Sequence, residues 1–175
     1  IYIADQVSIY IPAYNVSGKI DLITINPETG LYQIVEVKSI YGFNANSVLG
    51  TDAQQRNNRT LGTPRESHLM QIGIYQWWYG NSEENFGPGL LVYGSRDTGR
   101  YGEFIITVDK VGDEDYIFYQ SNAPVSSTEK INSGITIQSI LSNYELILEC
   151  LDSKELPDRD YDLLYSDEKI TSLYE

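Results

Sequence analysis

The sequence predicts an α/β fold in which a central mixed β-sheet is flanked by α-helices. Several short segments rich in Ile, Val, Leu, Thr and Tyr are separated by turn residues, a pattern typical of strands. Two longer segments, one between the strands and one after them, place apolar residues at helical spacing. A chain of 175 residues can bury a substantial core. We therefore expect a single domain over residues 1–175.

The composition restricts the classes of function. A net charge of −13 argues against a general nucleic-acid coat protein, because most duplex binders present a basic face. The one cysteine, Cys150, excludes a disulfide within this chain. No apolar run approaches the ~20 residues of a membrane span, and the first residues do not resemble a signal peptide. We expect a cytoplasmic protein without membrane contact and, since the chain begins with Ile, a part of a longer chain.

The first predicted elements are a strand and a hairpin. Val7 to Ala13 alternates moderately between apolar and polar residues, which indicates a strand. The segments Ile20 to Asn26 and Leu31 to Lys38 are strand-like, and the Asn-Pro-Glu-Thr-Gly turn between them predicts a β-hairpin. If Asn26 faces Leu31, constant pairing brings position 21 opposite position 36.

This register predicts a charged cluster inside an apolar hairpin. Asp21 and Glu36 would lie on one face with Cβ atoms roughly 5 Å apart, and Lys38, two residues further on, shares that face. Two carboxylates that close repel each other unless a cation lies between them. Oxygen ligands in a site open on one side suit Mg²⁺ or Mn²⁺ bound to a phosphate substrate. The alternative is an exposed ion pair of Glu36 and Lys38 on an edge strand, which contributes little energy.

The segment from Tyr41 to Gly62 is polar, rich in Asn and Gln, and without clear periodicity, which predicts a long mobile loop over about residues 42–62. Between Gly42 and Arg65 there is one acidic residue against three arginines, Arg56, Arg59 and Arg65. This cationic segment is either a clamp for an anionic substrate or an insertion without a role.

A helix is predicted from Thr63, as the N-cap with Pro64 at the first helical position, to about Tyr79. His68, Gln71 and Tyr75 form a polar stripe on this helix at i, i+3 and i+7. A polar stripe on a buried helix needs hydrogen-bond partners. Gln71 and Tyr75 therefore either bond to neighbouring backbone or hold a substrate, and His68 either contacts substrate or makes a core hydrogen bond.

The remaining elements follow from pattern. The segments Gly87 to Gly94 and Tyr101 to Val108 predict two strands around a turn, and Tyr116 to Gln120 predicts a short edge strand. From about Ile135 the apolar spacing predicts an amphipathic helix that ends before Leu156. We expect the acidic residues of about 160–175 to pack loosely.

Three short motifs in this order resemble a known family. Asp21 with Glu36-Val-Lys38 resembles the signature of the PD-(D/E)XK nuclease superfamily, and Gln71-Ile-Gly-Ile-Tyr75 is similar to the Gln-x-x-x-Tyr motif of its RecB-like branch, which includes the CRISPR-adaptation exonucleases. The resemblance extends from about Val7 to Tyr161. It implies a restriction-endonuclease-like core whose N-terminal helix is missing from this sequence.

The resemblance also assigns roles to residues. It implies that Asp21, Glu36 and the carbonyl of Val37 bind Mg²⁺ or Mn²⁺, and that Lys38 orients the attacking water. Gln71 and Tyr75 would complete the catalytic set and grip the scissile strand. Some RecB-like nucleases hold an iron-sulfur cluster with four cysteines, which one cysteine cannot do. The residues expected to contact nucleic acid are Lys19, Arg56, Arg59, Arg65, His68, Gln71 and Tyr75.

Together these features predict a metal-dependent DNA nuclease, more specifically an exonuclease that acts on single strands or ends in replication, recombination or repair. Its expected partners are DNA, further domains of a longer chain and replication or recombination proteins, in the cytoplasm of a bacterium or a phage-infected host cell. The alternative is a catalytically weak nuclease-like domain that serves as a nucleic-acid-binding or assembly module of a larger protein.

Overall fold

A seven-stranded mixed β-sheet forms the centre of the computed structural model, which describes residues 1–51, 62–80, 85–122 and 129–155. Three α-helices and one short 3₁₀ helix, Pro12–Tyr14, accompany the sheet in these residues. The α/β class is therefore confirmed. The strands are β1 (Tyr2–Ile11), β2 (Val16–Ile25), β3 (Tyr32–Ile40), β4 (Gly89–Ser95), β5 (Tyr101–Val111), β6 (Glu114–Ser121) and β7 (Ile131–Thr136), and the helices are α1 (Gly42–Leu49), α2 (Glu66–Gly80) and α3 (Ile137–Ser153).

The strands lie side by side in their sequence order, from β1 to β7. Among the described strands, β3 and β4 pair in parallel and every other neighbouring pair is antiparallel. A parallel pair needs a crossover connection, and the segment that contains α1 and α2 provides it. Helix α2 packs against β3, β4, β5 and β6 and also contacts α3. This arrangement places the polar stripe of α2 next to the centre of the sheet.

The β2–β3 hairpin has the predicted register. The Asn26 N–H donates to the Leu31 carbonyl at 2.9 Å, and the pairing continues to Leu22 opposite Val35. Asn26 Oδ1 also accepts from the Glu28 N–H, and Gly30 has a positive φ of 72°, which an L side chain rarely adopts. Turn chemistry thus fixes which residues of the two strands face each other.

Helix α2 begins at Glu66, so the predicted N-cap at Thr63 with Pro64 at the first helical position was wrong. The Arg65 carbonyl accepts the first helical hydrogen bonds, from the N–H groups of His68 and Leu69. The Thr63 N–H instead donates to the Ser47 carbonyl at 3.4 Å, which ties this residue to α1 rather than to the helix that follows.

The prediction of a mobile loop over residues 42–62 was wrong for its first part, which forms helix α1 with Ala45, Val48 and Leu49 buried. Contacts from the β4–β5 turn stabilise this helix. The Gly42 N–H donates to Asp97 Oδ2 at 3.0 Å, and Arg100 donates to Asn46 Oδ1 and to the Gly50 carbonyl, each at 2.7 Å. These partners are distant in sequence, so local periodicity could not indicate the helix. Residues 52–61 lie outside the described residues.

Strands β4 and β5 confirm the predicted hairpin, and the turn between them closes with the Ser95 N–H donating to the Arg100 carbonyl at 2.7 Å. The prediction of an edge strand at residues 116–120 was wrong about its position, because β6 lies between β5 and β7. Strand β7 was not predicted, since Asn132, Ser133 and Gly134 interrupt any alternation.

Helix α3 confirms the predicted C-terminal amphipathic helix. It begins at Ile137, where Thr136 acts as the N-cap and its Oγ1 accepts from the Ser139 N–H at 3.1 Å. Its first turns bury Ile137, Ile140 and Leu141. The predicted acidic tail of residues 160–175 lies outside the described residues.

Candidate active site

The β2–β3 hairpin changes its hydrogen bonding at positions 21 and 36. Beyond Leu22 and Val35, side-chain oxygens accept from backbone donors of the opposite strand. Asp21 Oδ2 accepts from the Val37 N–H at 2.8 Å, and Glu36 Oε1 accepts from the Asp21 N–H at 3.3 Å. Both carboxylates therefore lie at the junction of the two strands, as the register predicts.

Glu36 is buried, with only 1% of its side chain exposed. Burial raises the pKa of its carboxyl above the ordinary value, and the nearby charge of Asp21 raises it further. The Lys38 ammonium opposes both effects, because it donates to Glu36 Oε2 at 2.9 Å. One of the two carboxylates, that of Glu36, is thus buried and paired with the ammonium, while that of Asp21 is half-buried and bonded to backbone.

Lys38 connects the sheet to helix α2. Its Nζ also donates to Gln71 Oε1 at 2.8 Å, so one ammonium bridges β3 and the helix. Gln71 Nε2 in turn donates to the Tyr75 hydroxyl at 3.3 Å. The stripe predicted on the helix therefore faces the charged residues of the hairpin.

Gly18 leaves space for the side chain of Tyr75. A Cβ atom at position 18 would lie 2.4 Å from the Tyr75 hydroxyl oxygen and 3.0 Å from two ring carbons. The aromatic ring therefore packs directly on the backbone of β2, and Tyr75 is buried. Across the sheet from Asp21, between the pairs Asp5–Leu22 and Val7–Ile20, Gln6 has a positive φ of 50°, so irregular backbone of β1 borders the site.

The structure brings together all the residues that the sequence predicted as catalytic. They form one hydrogen-bonded group across β2, β3 and α2, which we call the strand–helix cluster: Asp21, Glu36, Lys38, Gln71 and Tyr75.

Tyr93 borders this cluster and was not predicted. It is paired with Lys38 in the parallel register of β3 and β4, and its side chain is fully buried. Its hydroxyl lies 2.9 Å from His68 Nδ1 and accepts from the Arg65 N–H at 3.1 Å. Burial raises the pKa of Tyr93 to about 12. A tyrosine inside an apolar strand is a weak signal, because packing explains the ring and only a structure shows the partner of the hydroxyl.

His68 is half-buried and lies close to two cationic residues. Burial lowers the pKa of its imidazole, and the positive charges of Lys38 and Arg65 lower it further. The neutral imidazole is therefore favoured around neutral pH.

The other predicted nucleic-acid contacts are less closely connected to the cluster. Lys19 is exposed on β2, two residues before Asp21. Arg65 is exposed immediately before α2, and its charge reaches His68. Arg56 and Arg59 lie outside the described residues.

Among the residues that the structure describes, two acidic side chains converge at this place. Within the described ranges no group of three or more His, Cys, Asp or Glu side chains is arranged to hold a metal ion. The donor chemistry of Asp21 and Glu36 still fits Mg²⁺ or Mn²⁺, because both are oxygen donors and their combined charge exceeds that of Lys38. Such ions commonly retain several waters and use one or two carboxylates together with substrate phosphate.

The comparisons with known proteins identify no relative. No family model matches the chain, no curated protein matches it, and no solved structure matches it. In the part of the chain that the structure describes, no helix is long and apolar enough to cross a membrane.

Proposed function

We propose that the protein is a Mg²⁺- or Mn²⁺-dependent deoxyribonuclease of the PD-(D/E)XK type, with a restriction-endonuclease-like core and a preference for single strands or ends. The observation that carries the proposal is the strand–helix cluster. Lys38, which is bonded to Glu36 of its own motif, joins the second motif by its hydrogen bond to Gln71, 33 positions further along the chain.

The chemistry of the cluster suits phosphodiester hydrolysis. In this reaction a water oxygen bonds to phosphorus, one P–O bond breaks, and the leaving oxygen takes up a proton. Negative charge develops on the phosphoryl oxygens, and fixed positive groups lower the barrier. Lys38 is such a group, because two acceptors hold its ammonium and its side chain retains 19% of its exposure. We assign it the orientation of the attacking water and the neutralisation of charge.

Asp21 and Glu36 would hold the metal ion, together with the carbonyl of Val37. A bound divalent cation lowers the pKa of water and offsets charge on the phosphate. The backbone hydrogen bonds from the Val37 and Asp21 N–H groups keep both carboxylates in place without any ligand. Gln71 and Tyr75 then position the scissile strand, while Lys19 and Arg65 attract its backbone from exposed positions.

One feature favours the second candidate, a catalytically weak domain that binds nucleic acid or takes part in assembly. Each carboxylate already accepts a backbone hydrogen bond, and Glu36 also accepts from Lys38. Such a network can serve structure alone. A domain of this kind would retain the cluster but fail to bind a divalent cation tightly.

The experiment that separates the two functions measures degradation of labelled single-stranded DNA with Mg²⁺ or Mn²⁺. We compare the wild type with Asp21→Asn and Lys38→Ala, and use Glu149→Gln and Lys110→Ala as matched controls at exposed positions of α3 and β5. The proposal expects a loss of at least about 100-fold in both cluster variants, typical of a lost charge-stabilising group, and none in the controls.

Equal degradation by all five proteins would exclude the assigned mechanism. Absence of activity in the wild type, combined with DNA binding that is unchanged in Asp21→Asn, would favour the binding module.

A further inference from the structure

The hydrogen bonds of the Tyr93 hydroxyl determine where its proton lies. Its oxygen accepts from the Arg65 N–H at 3.1 Å. The side chain is fully buried, so the hydroxyl proton also needs an acceptor. Within the described ranges the acceptor at hand is His68 Nδ1, 2.9 Å away. The hydroxyl therefore donates to that nitrogen.

This direction fixes the tautomer of His68. A neutral imidazole has one nitrogen that accepts and one that carries a proton. Because Nδ1 accepts from Tyr93, the proton is on Nε2. Burial lowers the pKa of the imidazole, and the positive charges of Lys38 and Arg65 lower it further, so a second proton on the ring is disfavoured.

The Nε2–H group lies on the side of the ring away from the buried hydroxyl. His68 is half-buried, whereas Tyr93, which Nδ1 faces, is fully buried. No residue of the described ranges forms a hydrogen bond with Nε2. His68 lies one helical turn before Gln71, and Gln71 accepts from Lys38. The donor is thus at the edge of the strand–helix cluster.

We propose that Tyr93 is a positioning residue that holds His68 as the neutral Nε2–H tautomer, and that this N–H donates to a phosphate oxygen of a bound nucleic-acid strand. The second half of the proposal rests on the proposed function. A neutral donor there binds a phosphate oxygen without adding a third cation beside Lys38 and Arg65. Tyr93 acts through His68 and does not touch substrate.

The first test concerns the free protein and does not depend on nuclease activity. His68 is the only histidine of the chain, so nitrogen NMR of ¹⁵N-histidine-labelled protein reports on this ring alone. At roughly pH 8, above the ordinary imidazole pKa, we expect an unprotonated Nδ1 and a protonated Nε2 in the wild type. Tyr93→Phe should shift both resonances toward a mixture of tautomers. Tyr101→Phe, at an exposed position of β5, should change neither.

A protonated Nδ1 in the wild type would overturn the assignment, and so would a folded Tyr93→Phe variant with unchanged nitrogen shifts. If Tyr93→Phe does not fold, the wild-type spectrum still decides the tautomer.

The second test adds a single-stranded oligodeoxynucleotide with Ca²⁺. In the nitrogen NMR spectrum we expect the Nε2 resonance of the wild type to shift on binding. By fluorescence anisotropy we expect His68→Phe to bind the oligodeoxynucleotide several-fold more weakly than the wild type. Binding without any change at Nε2 would overturn the donor role while leaving the proposed function intact. Absence of binding would overturn the donor role and the proposed function together, and the tautomer assignment would stand on the first test.

Discussion

Two lysine–carboxylate ion pairs of this protein differ mainly in their contact with water. In the strand–helix cluster, Lys38 and Glu36 are 19% and 1% exposed. On the surface near β5, Lys130 and Asp109 are each 42% exposed. An exposed pair contributes little to stability, whereas a buried pair becomes very unfavourable when one partner is removed.

The two ion pairs also differ in their neighbouring side chains. Lys130 also lies over the Phe118 ring, and Asp109 accepts from Thr107, so each has a nearby alternative partner. Glu36 has a raised pKa and a second carboxylate beside it. Pairing of an ammonium with a carboxylate is therefore a solvated surface contact at Asp109 and part of a candidate functional site at Glu36.

The largest expected effect comes from removing the buried ammonium. Lys38→Met leaves Glu36 buried with only a backbone donor, and should lower the free energy of unfolding by about 3–5 kcal/mol at neutral pH. Urea denaturation of this variant and of Lys130→Met measures the difference. Equal losses in the two variants would show that burial does not distinguish the pairs.

The packing around the buried cluster provides the next test. Gly18→Ala places a Cβ 2.4 Å from the Tyr75 hydroxyl, which must move, and should cost about 1–3 kcal/mol. Gly94→Ala is the matched control, since a Cβ there meets nothing within 4 Å. Thermal unfolding of both variants checks this. If Gly18→Ala is as stable as the control, the Tyr75 ring can move aside without cost, which contradicts the close packing of this ring on β2.

The raised pKa of Glu36 predicts a dependence of stability on pH. The folded state binds the Glu36 proton more tightly than the unfolded state, so this stabilisation is present below the ordinary pKa and is lost as the pH rises through the folded pKa. Glu36→Gln removes the titration. In metal-free buffer, its free energy of unfolding relative to the wild type should therefore increase from about pH 4 to pH 8. Asp109→Asn, at the exposed pair, serves as the control, and a parallel rise in that variant would contradict the assignment to Glu36.

His68 reports the charge of Lys38 directly. Because burial and the Lys38 ammonium lower the imidazole pKa, Lys38→Met should raise it, and Lys130→Met should leave it unchanged. Proton NMR titration of the one histidine gives both values. The lowered pKa also means that the stability contributed by the neutral ring is present above the ordinary value of 6.5 and is lost as the pH falls below it. An identical imidazole pKa in the two variants would show that the Lys38 charge does not act on His68.

The smallest expected effect belongs to the exposed pair. Lys130→Met should change the free energy of unfolding by less than about 1 kcal/mol, and roughly 1 M salt should reduce that change further. The effect of Lys38→Met should persist at the same salt concentration, because buried charges are screened less. Urea denaturation at low and high salt measures both. A strong salt dependence of Lys38→Met would contradict the buried character of its pair.

Local chemistry was enough to predict several elements and part of the site. The Asn26 turn fixes the hairpin register as far as Leu22 opposite Val35, and continuing this register predicts that Asp21 and Glu36 lie close together, as their hydrogen bonds show. The helical spacing of His68, Gln71 and Tyr75 predicts a common face, which the structure confirms by their contacts with the sheet side.

Elements that depend on distant partners were not predictable in this way. Helix α1 depends on Asp97 and Arg100 of the β4–β5 turn, and β7 depends on pairing with β6. Neither segment has a clear period of its own. Their stability comes from contacts that sequence patterns do not encode locally.

By itself the sequence determined the α/β class, the hairpin register and the residues that share the polar face of α2, because strand and helix periods are local properties. Only the tertiary structure decided that the parallel pairing of β3 with β4 brings Tyr93 beside Lys38. It also decided that α2 places Gln71 in contact with Lys38 and His68 in contact with Tyr93. The crossover between β3 and β4 sets these distances. No local pattern specifies how two segments so far apart in the chain pack together.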